Sequence, residues 1–178
     1  MTQPQTGRAQ TAVIVLAAGA GTRMKSDTPK MLHRVCGRTM LGHALHAAAG
    51  IRPDQVVVVV GHDREKVTAA VEDLSSSLGV PVTTAVQEEQ NGTGDAVASG
   101  MSALPADFAG TVLVTTSDVP LLDAETLEEV VTRHEMRPRA AVTVLTSTAP
   151  DPTGYGRIVR NDDGEVHLRL SGQFPYLT

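Results

Sequence analysis

Tryptophan is absent, and the aromatic residues are only Phe108, Tyr155, Phe174 and Tyr176. So few rings argue against the stacking platforms that hold single-stranded nucleic acid. They also require a core of Val, Leu, Ile and Ala, the composition of a buried parallel sheet flanked by small-residue helices. A single cysteine, Cys36, excludes an internal disulfide and a thiolate zinc site. Its expected state is a buried, inert thiol. The longest apolar run, Ala12 to Ala18, is far too short to cross a bilayer. Met1 to Gln10 is polar and lacks the apolar stretch of a secretory signal. No membrane partner and a cytoplasmic location are therefore expected. Positive charge is short as well: the net charge of −5 weighs against a general nucleic-acid binder.

What is present is organised. A chain of 178 residues is expected to form one domain, here residues 11–178 behind a disordered tail at 1–10. Thr11 to Ala18 reads as a buried strand running into Gly19, and Gln55 to Val60 as a central strand stopped by Gly61. Pro81 to Val86, Thr111 to Thr116 and Ala140 to Thr148 give three further strands. Between the strands fall helices over Met40 to Ala49, from an Asp63 cap to about Leu78, over Gly94 to Leu104, and from an Asp123 cap to about Glu135. Arg157 to Arg160 and Glu165 to Leu170 flank Asn161-Asp162-Asp163-Gly164, a hairpin signal. Alternating strands and helices specify an α/β fold, doubly wound, with a mostly parallel sheet that becomes mixed near the hairpin. In such sheets ligands sit beyond the carboxyl ends of the strands, which directs attention to the loops after Ala18, Val86 and Thr116.

Those loops carry the chemistry. Gly19-Ala20-Gly21-Thr22-Arg23-Met24 follows the first strand, and its glycines let backbone N–H groups converge on an anion. It is neither a dinucleotide fingerprint, since Met24 replaces the third glycine, nor a Walker A loop. An ordinary tight turn is the plain alternative. From Gly19 to Arg38 the chain holds Arg23, Lys25, Lys30, Arg34 and Arg38 against Asp27 alone, a net +4 that leaves −9 elsewhere. A concentrated positive window in an acidic chain suits a small anionic ligand, where the plain reading is a solvated basic face. The chain uses twelve arginines and three lysines, yet Lys25 and Lys30 both fall here. A compact ammonium suits a phosphate oxygen that gains charge during reaction. Asp118 ends an apolar strand, so its carboxylate projects into the ligand crevice, where a hard oxygen suits Mg²⁺. Gln87 offers a donor and an acceptor, matching the edge of a uracil ring. Gly92-Thr93-Gly94 opens a helix whose free N–H groups can meet a base carbonyl or phosphate. A turn aspartate and a surface glutamine are the plain readings of Asp118 and Gln87. His43 and His46 could share a metal by spacing but lack a third ligand, so they read as ordinary helix-surface residues.

Leu16-Ala17-Ala18-Gly19-Ala20-Gly21-Thr22-Arg23-Met24, followed by Pro29-Lys30-Met31-Leu32-His33, resembles the sugar nucleotidyltransferases. The Pro-Lys-x-Leu-His form is similar to the bacterial N-acetylglucosamine-1-phosphate uridylyltransferases in particular. Gln87 with Gly92-Thr93-Gly94, Asp118-Val119-Pro120, and Asp151-Pro152-Thr153-Gly154-Tyr155-Gly156-Arg157 extend the match, in the family's order, over about residues 12–166. The resemblance implies a nucleotide-diphospho-sugar transferase (Rossmann-like) fold. It implies transfer of a uridylyl group from UTP to N-acetylglucosamine 1-phosphate, giving UDP-N-acetylglucosamine and pyrophosphate for peptidoglycan and cell shape. It further implies Mg²⁺ on Asp118 and catalytic roles for Lys30 and Arg23. Substrate contacts would come from Leu16, Ala17, Ala18, Gly19, Gly21, Thr22, Lys30, Gln87, Gly92, Thr93 and Gly156, the last beside the N-acetyl sugar.

Two departures stand out. Ser117 occupies the position where the family usually has glycine. After Val166 the chain reads His167 to Thr178, and Ser171 falls about where the family's sugar-binding glutamate belongs. Its partner asparagine, a second metal-ligand asparagine and the acetyltransferase β-helix, through which the parent would be expected to assemble as a homo-oligomer, are missing. Three rivals follow. One is a nucleotide-binding fragment without catalysis. Another is a relative transferring a different nucleotide, such as guanylyl to a molybdopterin, although its Leu-Ala-Gly-Gly and Met-Gly pattern is absent here. The third is an NAD-linked oxidoreductase, for which the fingerprint glycine is missing.

Overall fold

The computed structural model describes residues 9–21, 24–136, 140–151, 153, 155–164 and 166–170, with backbone only at 157 and 167–170. Thr22, Arg23, most of the N-terminal tail and the segment from Ser171 onward lie outside the described residues. The chain divides into two compact units, Met1–Thr143 and Val144–Thr178.

The first unit is built on four parallel strands: β1 (Gln10–Ala17), β4 (Gln55–Val60), β5 (Val82–Val86) and β6 (Gly110–Thr116). Their order is β5-β4-β1-β6, with β1 central. The run Ala12–Val15 and the whole of Val56–Val60 are fully or almost fully buried. A strand with both faces covered needs no polar alternation, which is why these segments read as continuous apolar runs. Side chains nonetheless alternate between two cores. Val13, Val15, Val56 and Val58 meet Leu41 and Leu45 of α1 (Met40–Gly50), Val67 and Val71 of α2 (Arg64–Leu78), and Leu127 and Val131 of α4 (Ala124–Glu135). Ile14, Val57 and Val59 meet Ala96 of α3 (Thr93–Ser102) on the opposite face. That helix sits close: a Cβ placed on Gly100 would lie 2.7 Å from Ile14 Cγ2 and 3.0 Å from Val59 Cγ2.

The chain builds β1, β4 and β5 in one direction, then returns through α3 to place β6 on the other side of β1. That reversal opens a crevice at the carboxyl ends of the strands. The strand ends are level there, with Ala17 beside Val60, Val60 beside Val86, and Leu16 beside Thr116. Both expected caps hold their N-cap positions. The Asp123 side chain accepts from Thr126 N at 2.9 Å, as a cap should. Asp63 holds the N-cap position of α2, as expected, but at φ 54° it makes no side-chain cap bond. Aspartate tolerates this left-handed conformation, and its carboxylate turns instead to Lys66 at 3.3 Å and His62 at 3.4 Å.

Two further expectations are corrected. A small hairpin, β2 (Arg34–Val35) with β3 (Arg38–Thr39), places Cys36 and Gly37 at its tip with φ of 49° and 83°. Two central residues with positive φ form the tight turn that matches strand twist, and its tip points outward. Cys36 is accordingly exposed rather than buried. Ala140 to Thr148 forms no strand. Its Val142, Val144 and Leu145 are half exposed or more.

The second unit contains the expected hairpin as an antiparallel pair, β7 (Arg157–Arg160) with β8 (Val166–Leu170), separate from the parallel sheet. Gly164, at φ 78°, closes the turn by donating its N–H to Asn161 O at 2.9 Å. No described helix is long and apolar enough to cross a membrane.

Candidate functional site

The loops leaving the carboxyl ends of the sheet are stitched to one another before any ligand is considered. Ser117 N donates to Leu16 O at 3.0 Å, and Gln87 N to Val60 O at 2.8 Å. Gln90 Nε2 donates to Ala18 O at 2.9 Å, the same carbonyl that accepts from His62 N. These bonds close a cleft of about 320 Å³. Its lining brings together Leu16, Ala17, Ala18, Gly19, Gly21, Lys30, Gln87, Gly92, Thr93 and Asp118, all expected from the sequence. Gly156 belongs to the second unit, and Thr22 and Arg23 lie outside the described residues.

Lys30 enters the cleft from a single 3-10 turn, Lys30–Leu32, that begins at Pro29 with φ −51° and ψ 137°. Buried Met31 pins the turn to the core beside α1 and β1. Gly21, at φ 60°, closes over the lysine: a Cβ there would stand 2.6 Å from Lys30 Cβ. No L side chain fits that approach without moving the lysine, so the glycine loop shapes the path of Lys30 as well as leaving amides free.

Lys30 Nζ meets Asp118 Oδ2 at 2.5 Å, with 36% and 37% of the two side chains exposed. Thr116 Oγ1 donates to the other oxygen, Oδ1, at 2.7 Å. Partial burial works to raise the Asp118 pKa, but the hydrogen bonds from Lys30 and Thr116 and the lysine's charge outweigh it. The net result lies below the ordinary carboxylate value of 3.8, so the group is anionic at neutral pH. Among the described residues no set of three or more His, Cys, Asp or Glu is arranged to hold a metal by itself. One carboxylate beside a hydroxyl does not suit zinc. It does suit Mg²⁺, which keeps waters and takes further oxygens from phosphates.

Of the basic window, only Lys30 lines the cleft among the described residues. Arg34 turns back to donate to Gly37 O at 2.7 Å in the small hairpin, and Lys25 is exposed with φ 46°. Gln87 needs a correction. Its side chain is 6% exposed, and its Nε2 is already engaged, donating to Asp95 Oδ2 at 2.8 Å and Gly92 O at 3.2 Å. Its remaining polar atom is the acceptor Oε1, not the donor–acceptor pair read from its residue type. Gln90, Met31, Ala96, Thr116 and Ser117 also line the cleft. Gln90 was hidden in the polar run Gln87–Gln90, where only its spacing of three from Gln87 distinguished it. His43 and His46 bond the backbone carbonyls of Val35 and Gly42, at 2.8 and 2.7 Å.

Comparison with known proteins agrees with this geometry. The chain is 67% identical over 159 residues to the bifunctional protein GlmU of Rhodococcus opacus (strain B4), a match covering 88% of this chain and 32% of that protein. The chain thus spans about a third of the length of the curated relatives it matches. HddC from Yersinia pseudotuberculosis superposes with a TM-score of 0.73 at 17% identity, over 92% of this chain and 70% of its own. A UDP-glucose pyrophosphorylase complexed with UDP-glucose gives 0.68 at 14% identity, over 93% and 69%. The two structures share the fold. The model of the MobA-like NTP transferase domain matches residues 13–166, and with most of its length inside that match and its glycine loop, Lys30 and Asp118 around one cleft, the chain belongs to that family.

Proposed function

We propose that residues 11–178 form a nucleotidyltransferase domain that transfers a uridylyl group from UTP to N-acetylglucosamine 1-phosphate, releasing pyrophosphate. The observation that carries the reading is the convergence of Gly19, Gly21, Lys30, Gln87 and Asp118 on one cleft at the sheet's reversal point. Family membership leaves the nucleotide and acceptor open. The identity to GlmU proteins, 67% and 55% for two of them, favours this pair of substrates.

In this reading a phosphate oxygen of the sugar phosphate attacks the α-phosphorus of UTP in line. A new P–O bond forms, and the bond to the β-phosphate's bridging oxygen breaks. The attacking oxygen is already anionic, so no general base is required, and catalysis rests on positioning and charge neutralisation. Lys30 places its ammonium against the α-phosphoryl oxygens as their charge grows. Arg23 and the amides of Gly19 to Thr22 hold the departing pyrophosphate. The N–H groups of Gly92 and Thr93 face the base. Leu16, Ala17 and Ala18 form the floor beneath the nucleotide. Asp118 holds Mg²⁺, which supplies charge neutralisation to the phosphates when bound. A cytoplasmic location follows from the supply of UTP.

The deciding assay measures pyrophosphate release from UTP with and without N-acetylglucosamine 1-phosphate and Mg²⁺. Release that requires all three is the expected result. UTP binding without release would restrict the function of this chain to nucleotide binding, and release driven equally by another sugar phosphate would overturn the proposed acceptor.

A further inference from the structure

Gln87 is the first residue after β5 and is nearly buried, so the orientation of its carboxamide is set by protein neighbours. A carboxamide nitrogen carries two hydrogens. Both have acceptors here, Asp95 Oδ2 at 2.8 Å and Gly92 O at 3.2 Å. Turning the amide over would set Oε1 against a carboxylate oxygen and a carbonyl oxygen at once, leaving acceptors facing acceptors in a partly dry site. The orientation is therefore locked, and the remaining polar atom of Gln87 is Oε1.

We propose that Asp95 is a positioning residue for base selection. By holding Gln87 with only an acceptor free, it admits a uracil, whose N3 carries a hydrogen, and rejects a cytosine, whose N3 is a bare lone pair. The inference rests on the uridylyl reading and extends it by one residue. The opening of α3 supplies the complement. Ala96 N bonds back to Gly92 O at 3.2 Å, and the N–H groups of Thr93, Gly94 and Asp95 before it belong to the first turn. First-turn N–H groups lack intrahelical acceptors and can meet uracil's carbonyl oxygens. An acidic residue in a helix's first turn also favours the helix dipole, but that role is indifferent to the base.

The experiment titrates the chain and its variants with Mg·UTP, Mg·CTP and N3-methylated UTP by calorimetry, with thermal unfolding run on each to establish that it is folded. The parent is expected to bind UTP at least about tenfold more tightly than CTP or the N3-methylated analogue. In Asp95→Asn the new amide can donate to a reversed Gln87, freeing Gln87 Nε2 to meet cytosine N3, so the UTP/CTP ratio should fall to within about threefold. Asp95→Ala should lower the ratio too, by releasing the lock. If both Asp95 variants keep the parent's ratio while Gln87→Ala loses it, Gln87 reads the base without Asp95 and the inference fails alone. If Gln87→Ala also keeps the ratio, the base is read elsewhere and the inference fails with the nucleotide reading intact; if the folded parent binds neither nucleotide, the nucleotide reading beneath it fails.

Discussion

At the scale of single residues, the pair Lys30–Asp118 ties two roles together. Each oxygen of Asp118 already has a partner, Lys30 on one and Thr116 on the other. Asp118 would hold Mg²⁺ through a carboxylate oxygen that keeps a lone pair beside its present partner, and Lys30 next to it would offer its ammonium to the same phosphates. As a stability element the pair is modest, because both side chains remain about a third exposed. Water screens such pairs to roughly 1 kcal/mol or less. The sign of its pH dependence follows from the lowered pKa of Asp118. The folded chain binds the proton less readily than the unfolded chain, whose carboxyl titrates near 3.8. The contribution is therefore present above pH 3.8 and is lost as pH falls through the lowered folded value. Asp118→Asn should cost about 1 kcal/mol or less in urea unfolding at neutral pH, with the difference shrinking in acid. Its Mg²⁺-dependent pyrophosphate release should drop by about a hundredfold or more. A variant that keeps parental turnover at saturating Mg²⁺ would remove Asp118 from the chemistry.

At the scale of elements, α3 decides whether the base end of the cleft keeps its shape. Gly100 lets the helix rest on Ile14 and Val59, two fully buried side chains that cannot retreat. Alanine is the better helix former by about 1 kcal/mol, whereas overpacking a closed core costs about 1–3 kcal/mol. Gly100→Ala should therefore lower the denaturant midpoint, and it should weaken UTP binding because Gly92 and Thr93 move with the helix. A variant more stable than the parent would mean that the sheet yields and propensity wins. Elements of this kind differ in how far their sequence shows them. Val56–Val60 is legible because five consecutive valines fit only a strand covered on both sides. Asp63 is legible as the N-cap of α2, but its φ of 54°, set by how the loop from β4 must turn, is not, and with it goes the side-chain cap bond. Ala140 to Thr148 misleads because apolar alternation marks a strand only where a neighbour pairs with it, and pairing is not written in the segment's own residues. Cys36 sits outside because the hairpin, a two-residue turn, overrides the usual burial of a small thiol.

At the scale of the whole first unit, the sheet reversal makes three distant loops converge, so a nucleotide would join segments already linked through the carbonyls of Leu16, Val60 and Ala18 and through the Lys30–Asp118 pair. The sequence shows this convergence because the rule for parallel sheets places ligands at strand ends. It does not show which polar atoms remain free there. The bond from Gln87 to Asp95 spans eight positions across a turn, and no periodicity marks it. The consequence is measurable on unfolding. A ligand that binds only the folded state adds about 2.7 kcal/mol at a hundred times its Kd, so Mg·UTP should raise the melting temperature by several degrees. UTP with a chelator should give a smaller rise, because the base and glycine-loop contacts remain while the metal contribution is lost. In Asp118→Asn the two rises should become equal, since the variant lacks the carboxylate that couples Mg²⁺ to the nucleotide. An equal rise with and without Mg²⁺ in the parent would place the metal elsewhere, and no rise with UTP at millimolar concentration would show that the cleft of this chain does not take the nucleotide.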